Sequence, residues 1–455
     1  MNSGKINQRL YFFKLINILA VTGLFALGWI MYYNKVITWS YQYKGNMAMA
    51  IIFLVLYFLF VKVYDAFAVS LQRKLELAIS QALSALFADG MMYVIICLLY
   101  EWFAPVWPLM LVFVAQALVV LVWVVLTKNW YYAHTPRLNA VILHDSLNDT
   151  AHLQHEISYD NSLNLFAVED IQTCIKEEMA VLEGADVVYI CAEPCSARDA
   201  VIEHCTAYKR NFYILPSIND MLLNSARHVH MFHMPLLQMH MGDASIGYLF
   251  VKRVIDIVFS AMALLVLWPF MLIIAIAIKA YDGGPAFYKQ VRLTKGGKEF
   301  ELIKFRSMRV DAEADGVARL STGENDPRIT PIGKFMRASR VDELPQIICI
   351  LSGKMSIVGP RPERPEIAAK YEETLPEFRL RLQAKAGLTG YAQVYGKYNS
   401  TPREKLHMDM IYISRPSIIE DIRLIFTTVR VLFMKESTEG FESQLVNSGE
   451  EKVEI

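Results

Sequence analysis

The sequence predicts a membrane protein in three parts: an α-helical transmembrane bundle, a small Rossmann-like α/β domain, and a mostly α monotopic domain with a re-entrant membrane helix. Three observations carry this. Hydrophobic residues make up 54% of 455 and the mean hydropathy is +0.29, more apolar character than a soluble core needs. Between Pro136 and His240, apolar stretches of strand length alternate with helical ones. A fifth long apolar run, Ile257 to Ile278, has cations on both flanks and a proline near its centre. The expected boundaries are 1–132 for four transmembrane helices, 133–245 for the α/β domain, 246–435 for the third domain with its re-entrant helix at 254–279, and 436–455 for an acidic, disordered tail.

The four spans are Leu15–Tyr33, Met47–Tyr64, Leu77–Tyr100 and Pro105–Thr127. Each is close to the ~20 residues that cross a hydrocarbon layer. Trp29, Trp102, Trp107, Trp123 and Trp130 mostly fall near span ends, where amphipathic rings favour the interface. Lys5, Arg9 and Lys14 precede the first span, Lys62, Arg73 and Lys74 sit in the second connection, and Lys128 and Arg137 follow the fourth. The first connection has only Lys35 and Lys44, and the third has no cation. That bias puts the N-terminus and everything after the fourth span in the cytoplasm. The polar, basic N-terminus runs into the first span without a small-residue cleavage site, so the span is read as retained. Asp89, mid-span, is a functional candidate by position, although a carboxyl that hydrogen-bonds a neighbouring helix or sits protonated is the favoured reading.

Formal net charge is zero, so no global basic field points to nucleic acid. Cys97, Cys174, Cys191, Cys195, Cys205 and Cys349 show neither zinc nor disulfide spacing and read as thiols in a reducing compartment. In the middle domain, strands are expected at Ala140–Leu143, Val187–Cys191 and Phe212–Leu215, with helices at Ile171–Leu182 and Ser196–Lys209. The turn from His144 to Asp149 has no glycine and so lacks the dinucleotide fingerprint. The domain therefore reads as a module for packing, assembly or regulation, and as the candidate surface for a homodimer. His228, His230 and His233 are spaced to hold a metal, but without an acidic or Cys partner a solvated linker is favoured.

Ile257–Ile278 is long enough to span. Lys252 and Arg253 before it, and Lys279, Lys289, Arg292, Lys295 and Lys298 after it, remove the one-sided bias of a crossing segment. Pro269 removes a helical hydrogen bond near the centre. A helix–break–helix that enters and leaves on one face accommodates both facts, with Ser260 and Arg253 as candidate partners for the freed backbone.

The polar motifs lie between Lys252 and Phe433. Thr330-Pro331 reads as the cap and first residue of a helix through Ser339. Pro345 demands a break, which sets Asp342 near the N-cap of a second helix, Glu343–Leu351, where a helix terminus favours anions. The adjacent carboxylates Asp342 and Glu343 can hold Mg²⁺, or divide the roles of nucleophile and base. Arg306, Arg328, Arg337, Arg340, Arg361 and Arg364 exceed what solubility requires and suit bidentate contact with phosphate; at least two of them are expected to be plain surface charges. Prolines 360, 362 and 365 stiffen the loop that carries Arg361 and Arg364.

Read together, KFRSM (304–308), NDPRIT (325–330), DELPQ (342–346), MSIVGPRPE (355–363) and KAGLTGYAQV (385–394) resemble, in identity and order, the bacterial sugar transferase domain of the monotopic phosphoglycosyl transferases. With the four spans and the α/β insert, the whole chain resembles the large polyprenyl glycosylphosphotransferases that initiate exopolysaccharide, capsule or O-antigen synthesis. The resemblance implies a bacterial inner-membrane enzyme with a cytoplasmic catalytic domain, a UDP-sugar donor, an undecaprenyl phosphate acceptor, Mg²⁺ and a ping-pong course. It makes Asp342 the nucleophile on the β-phosphorus, expelling UMP, with Glu343 as base or magnesium partner. Arg337, Arg361 and Lys304 through Arg306 would surround the donor phosphates, joined by Arg364 from the same loop. Pro269 would be the helix break; the family often has serine before it, where this chain has Trp268. Ile418–Phe433 would lie on the headgroups, with Arg423 and Arg430 toward anionic lipid. A non-catalytic scaffold of polysaccharide assembly is the main alternative, and a transporter component is disfavoured by the absence of repeats.

Overall fold

The computed structural model describes residues 3–37, 40–145, 150–159, 162–224, 226–231, 233–238, 244–310, 312, 328–396 and 401–432. The acidic tail, Asn325 to Pro327 and most of the turn after the first strand lie outside these. The chain divides into two compact units, residues 1–217 and 218–455.

The first unit begins with the four apolar helices. These are α1 (Ser3–Gly28), which continues through a π-helical turn at Trp29–Tyr33 into α2 (Asn34–Val36); α3 (Tyr43–Val63); α4 (Lys74–Tyr100); and α5 (Trp107–His134). All four runs are long and apolar enough to cross a membrane. Aromatic stacking of Phe25 on Phe53, centroids 4.4 Å apart, fills their interior. A polar chain lies inside as well: Tyr57 donates to Asn17 (3.0 Å), and Asn17 donates to Gln81 (3.2 Å). Such bonds are the favoured glue where lipid supplies no hydrophobic drive. Trp29 and Trp123 are buried with their indole N–H groups donated to Asn46 and to the Phe13 carbonyl, so these two serve the bundle rather than the headgroups. Asp89 is buried near Gln116 of α5, and neither of its carboxyl oxygens has a hydrogen-bond partner among the described residues.

The same unit then forms β1 (Leu138–His144), α6 (Ala151–Tyr159), β2 (Leu163–Asp170), α7 (Ile171–Lys176), α8 (Ala180–Glu183), β3 (Val187–Cys191), α9 (Ser196–Ala207) and β4 (Asn211–Ile214). The strands make a parallel sheet in the order β2-β1-β3-β4, whose buried Val141, Leu143, Val188 and Ile190 pack on α7 and α9. The sequence reading missed β2, which is amphipathic rather than uniformly apolar. The helix expected at Ile171–Leu182 is split in two because Glu178 and Met179 adopt positive φ.

The second unit starts earlier than the expected boundary at 245. In α10 (Ile218–Asn224), Met221 packs into a core with Ala368, Phe378, Leu406 and Met410. A hairpin follows, β5 (Arg227–Met231) with β6 (Met234–Gln238). It carries His228, His230 and His233, but no group of three potential metal ligands comes together among the described residues.

Next is α11 (Ile246–Asp282), capped by the Ser245 hydroxyl. Here the structure departs from the expected helix–break–helix: the α-helix is uninterrupted and Pro269 lies within it. A proline can be absorbed as a local bend when only one backbone bond is lost. The expected partners of a break have other roles. Arg253 donates to the carbonyls of Ile350 and Leu351 (2.7 and 2.8 Å), and the buried Ser260 hydroxyl makes no hydrogen bond among the described residues.

The rest of the unit is β7 (Phe287–Thr294) paired antiparallel with β8 (Lys298–Phe305), α12 (Pro331–Ala338), a 3₁₀ turn at Val341–Glu343, α13 (Gln346–Leu351), β9 (Ser356–Val358), α14 (Pro365–Thr374), β10 (Gly387–Thr389), α15 (Tyr391–Val394), α16 (Pro402–Ser414) and α17 (Ile418–Leu432). Asp256 of α11 accepts from Ser356 Oγ and from the Ile357 N–H, tying that helix to β9. One side of α17 is buried, with Leu424 in a core with Val358 and Tyr412, while Ile419 and Ile422 are exposed. Its Asp421 accepts from Lys252, Tyr248 and Tyr412.

Candidate active site

Thr330 caps α12 as expected: its hydroxyl accepts from the Gly333 N–H at 3.0 Å, with Pro331 in the first turn. Beyond α12 the chain reverses at Arg340, which takes a left-handed conformation (φ 54°), and enters the 3₁₀ turn of Val341–Glu343. The second helix begins only at Gln346, after Pro345, so Asp342 is not its N-cap. The dyad is therefore stabilised by cations and not by a helix terminus.

Those cations come from two directions. Lys304, near the end of β8, donates to Glu343 Oε1 at 3.2 Å. Arg361, from the proline-stiffened loop after β9, donates to the same oxygen at 2.9 Å. Burial alone would push the Glu343 carboxyl upward; the charges of Arg361, Lys304 and Arg340, with the Arg361 hydrogen bond, overcome it and hold the group well below the carboxylate range. Asp342 goes the other way. Burial and the neighbouring Glu343 charge raise it, against the pull of Lys304, Arg337 and Arg361. Adjacent carboxylates whose environments drive them apart are suited to different tasks. Glu343 is a fixed anion that organises two cations, whereas the Asp342 carboxylate has no hydrogen-bond partner among the described residues.

Arg337, on the last turn of α12, acts on Asp342 by charge, and its Nη1 is buried with no hydrogen-bond partner among the described residues. A buried guanidinium nitrogen without an acceptor carries a desolvation cost that an arriving anion removes.

The remaining expected residues divide. Arg306 is buried and turned away: it grips Asp282 at the end of α11 with both terminal nitrogens and donates Nε to the Pro285 carbonyl. It is thus a structural clamp, because its donors are already matched to a carboxylate fork. Arg364 occupies the N-cap position of α14, and its charge is felt by Arg292. Lys304, Arg337 and Arg361 converge on the dyad, and Arg340 adds its charge at Glu343.

The loop carrying Arg361 is held by residues the sequence reading did not single out. Arg381, 3% exposed, donates to the Arg361 carbonyl (2.9 Å) and pairs with buried Asp409 (2.6 Å) and with Glu363 (3.5 Å). Arg292 donates to the Pro362 carbonyl at 2.9 Å. Nothing in the local sequence distinguishes Arg381 from Arg379 two residues before it. Three glycines seat the loop. A Cβ on Gly359, Gly387 or Gly390 would lie within 2.3 Å of backbone atoms of the facing segment, so VGPRPE and KAGLTG cross at a separation only glycine permits.

For Mg²⁺ the donor set fits the usual pattern of one or two carboxylates completed by substrate phosphates and water. Asp342 is unengaged, and Glu343 bonds the two cations through Oε1.

The chain is similar to known proteins over its second half. Residues 247–435 match the family described as bacterial sugar transferase. Over 190 residues the chain is 44% identical to the exopolysaccharide production protein PSS of Rhizobium leguminosarum bv. phaseoli, covering 40% of this chain and 94% of that one. It is 37% identical over 253 residues to the UDP-glucose:undecaprenyl-phosphate glucose-1-phosphate transferase of Xanthomonas campestris pv. campestris, covering 53% and 52%. It is 36% identical over 188 residues to the UDP-N-acetylgalactosamine-undecaprenyl-phosphate N-acetylgalactosaminephosphotransferase of Aeromonas hydrophila, covering 41% and 44%. The match to the Xanthomonas and Aeromonas relatives thus spans about half of their length or less.

Proposed function

Because the chain belongs to the bacterial sugar transferase family, we propose that it transfers a sugar-1-phosphate from a UDP-sugar to undecaprenyl phosphate, releasing UMP. The observation that carries this reading is the division within the dyad: Glu343 is bonded to Lys304 and Arg361, while Asp342 stands unbonded among cations, beside the orphaned Nη1 of Arg337.

In this mechanism a carboxylate oxygen of Asp342 attacks the β-phosphorus of the donor. The bond from that phosphorus to the bridging oxygen breaks, and UMP leaves with the electron pair. A phosphate oxygen of the acceptor then attacks the same phosphorus and displaces Asp342, which regains its charge. Arg337 and Arg361 neutralise the diphosphate and the departing UMP. Glu343 holds Lys304 and Arg361 at the reacting centre. Mg²⁺, held by Asp342 with support from Glu343, would supply further neutralisation of phosphate charge.

The placement of α11 supports a monotopic, same-face arrangement of this helix at the cytoplasmic side of an inner membrane. At its start, Tyr248 and Lys252 bond Asp421; at its end, Ile278 packs with Phe305 and Met336, and Asp282 binds Arg306. A helix gripped at both ends by one polar unit keeps both ends on that unit's side. Its other surface, including Leu265, Val266 and Ile273, is exposed and apolar.

The test is UMP release from UDP-glucose, UDP-galactose and their N-acetylated relatives by the full chain, with and without undecaprenyl phosphate and Mg²⁺. Asp342→Asn is expected to abolish release. An unchanged rate in that variant removes the assigned nucleophile; lipid binding without turnover in the unaltered chain favours the scaffold.

A further inference from the structure

A second cationic feature lies away from the dyad. At the tip of the β7–β8 hairpin, an open groove of about 850 Å³ is lined by Lys295, Lys298, Lys354 and Lys385. Strand alternation explains how these converge. Lys298 shares a strand face with the core residues Phe300 and Leu302, so at the tip, where the core ends, it faces the segments carrying Lys354 and Lys385. Glu299 and Glu301 also line the groove, from the opposite face of the strand, and Glu301 is paired with Lys289.

The groove is built rather than incidental. The Thr294 hydroxyl donates to the Lys354 carbonyl (3.3 Å) and accepts from the Ala386 N–H (3.1 Å), pinning three segments together. Gly353 turns the wall with φ +81° and sits against the Arg253 guanidinium. Lys298, Lys354 and Lys385 make no ion pair among the described residues. Burial, and then the charges of Arg253, Lys252 and Lys295, lower the Lys385 ammonium, with Asp256 opposing. Lys298, Lys354 and Lys385 therefore present charge to the groove that no carboxylate among the described residues pairs with.

Its position indicates which anion. Lys252 and Arg253 are cations set within the exposed apolar surface of α11, with Leu249, Phe250 and Val251 open before them and Val254, Ile257, Val258 and Phe259 open after. That is where headgroups would lie. Along β8, Lys298 is six residues from Lys304, a separation of ~20 Å at the strand rise, so a phosphate here cannot be the one reacting at Asp342.

We propose that this groove binds the phosphate of an anionic lipid headgroup as a docking site separate from the dyad. The inference does not depend on the proposed reaction, and its test does not read activity. The full chain in detergent micelles is titrated with phosphatidylglycerol or phosphatidylcholine, and bound lipid is counted by native mass spectrometry. Wild type should retain phosphatidylglycerol in preference to phosphatidylcholine. The variant Lys298→Gln/Lys354→Gln/Lys385→Gln should bind phosphatidylglycerol roughly a hundredfold more weakly, taking the usual contribution of a lysine at an anionic surface for each charge removed. A charge-matched control at exposed sites, Lys176→Gln/Lys209→Gln/Lys370→Gln, should bind as wild type. Equal weakening in both triple variants, or equal retention by the first, overturns the proposal. So does lysine-dependent binding of inorganic phosphate without any preference for phosphatidylglycerol, which would assign the groove to a soluble anion.

Discussion

Gly387→Ala tests the glycine crossing that seats the Arg361 loop. A Cβ at Gly387 would lie 2.1 Å from the Gly359 nitrogen and 2.6 Å from its Cα and oxygen, all backbone atoms that cannot rotate aside. Ordinary contact begins at 3.4 Å, so the two segments must separate by about 1.3 Å (3.4 minus 2.1). The bonds that join them, Gly387 N–H to the Pro360 carbonyl at 2.9 Å and Gly359 N–H to the Thr389 carbonyl at 2.8 Å, would then leave hydrogen-bond range. Losing two buried backbone bonds leaves four groups unsatisfied and costs at least ~4 kcal/mol, at ~1 or more for each. For a unit of this size that is a fall in Tm on the order of ten degrees. Arg361 lies two residues past Gly359 and should move with it, and a displacement near 1 Å at a reacting centre costs ~10²-fold in rate. Differential scanning fluorimetry and UMP release measure the two effects. Gly247→Ala, where nothing lies within 4 Å, is the control and should be neutral. If Gly387→Ala melts within ~2 °C of wild type and turns over within about twofold, less than the smallest loss just derived, the close crossing is not a constraint.

Further outcomes follow from the site. Glu343→Gln removes an anion that raises Asp342, so the acid limb of the pH–rate profile, read from UMP release, should move to lower pH while the rate at its plateau falls; an unmoved limb would separate the two carboxyls electrically. Arg306→Ala should lower Tm and leave the KM for the UDP-sugar unchanged, because its guanidinium serves Asp282; a large KM rise would return it to the phosphate site. Arg381→Ala strands buried Asp409 and should cost ~3–5 kcal/mol by chemical denaturation. Asp409 has a raised folded value, chiefly through burial, so its protonated form stabilises the fold at acid pH. The Arg381→Ala deficit should therefore shrink as pH falls toward that value, and a deficit that grows instead would contradict the assignment.

What the sequence disclosed depended on whether the signal was local. The four spans, the Thr330 cap and strand β3 were legible because apolar runs and capping chemistry act within a few residues. Asp342, Glu343, Lys304, Arg337 and Arg361 were legible through their motifs, and the structure brings the three cations to the dyad. Arg306 was misread because its partner, Asp282, is 24 residues away and carries no mark of its own. Pro269 was read by its intrinsic habit, yet α11 continues through it, as tertiary packing of Met271 and Ile278 permits. Arg381 and Asp409 were invisible, since a buried ion pair between distant segments leaves no spacing to read.

The way Arg253 and Asp256 fasten the membrane helix carries one more implication. One residue grips the far end of α13, the helix that follows the dyad; the other grips β9, directly before the Arg361 loop. Both halves of the reacting centre are thereby riveted to adjacent turns of a single rod. If Asp342 reacts as proposed, its altitude over the hydrocarbon would be a constant of the protein and not of the bilayer. In thicker or thinner membranes it would then be the acceptor lipid's head that rises or sinks to meet it.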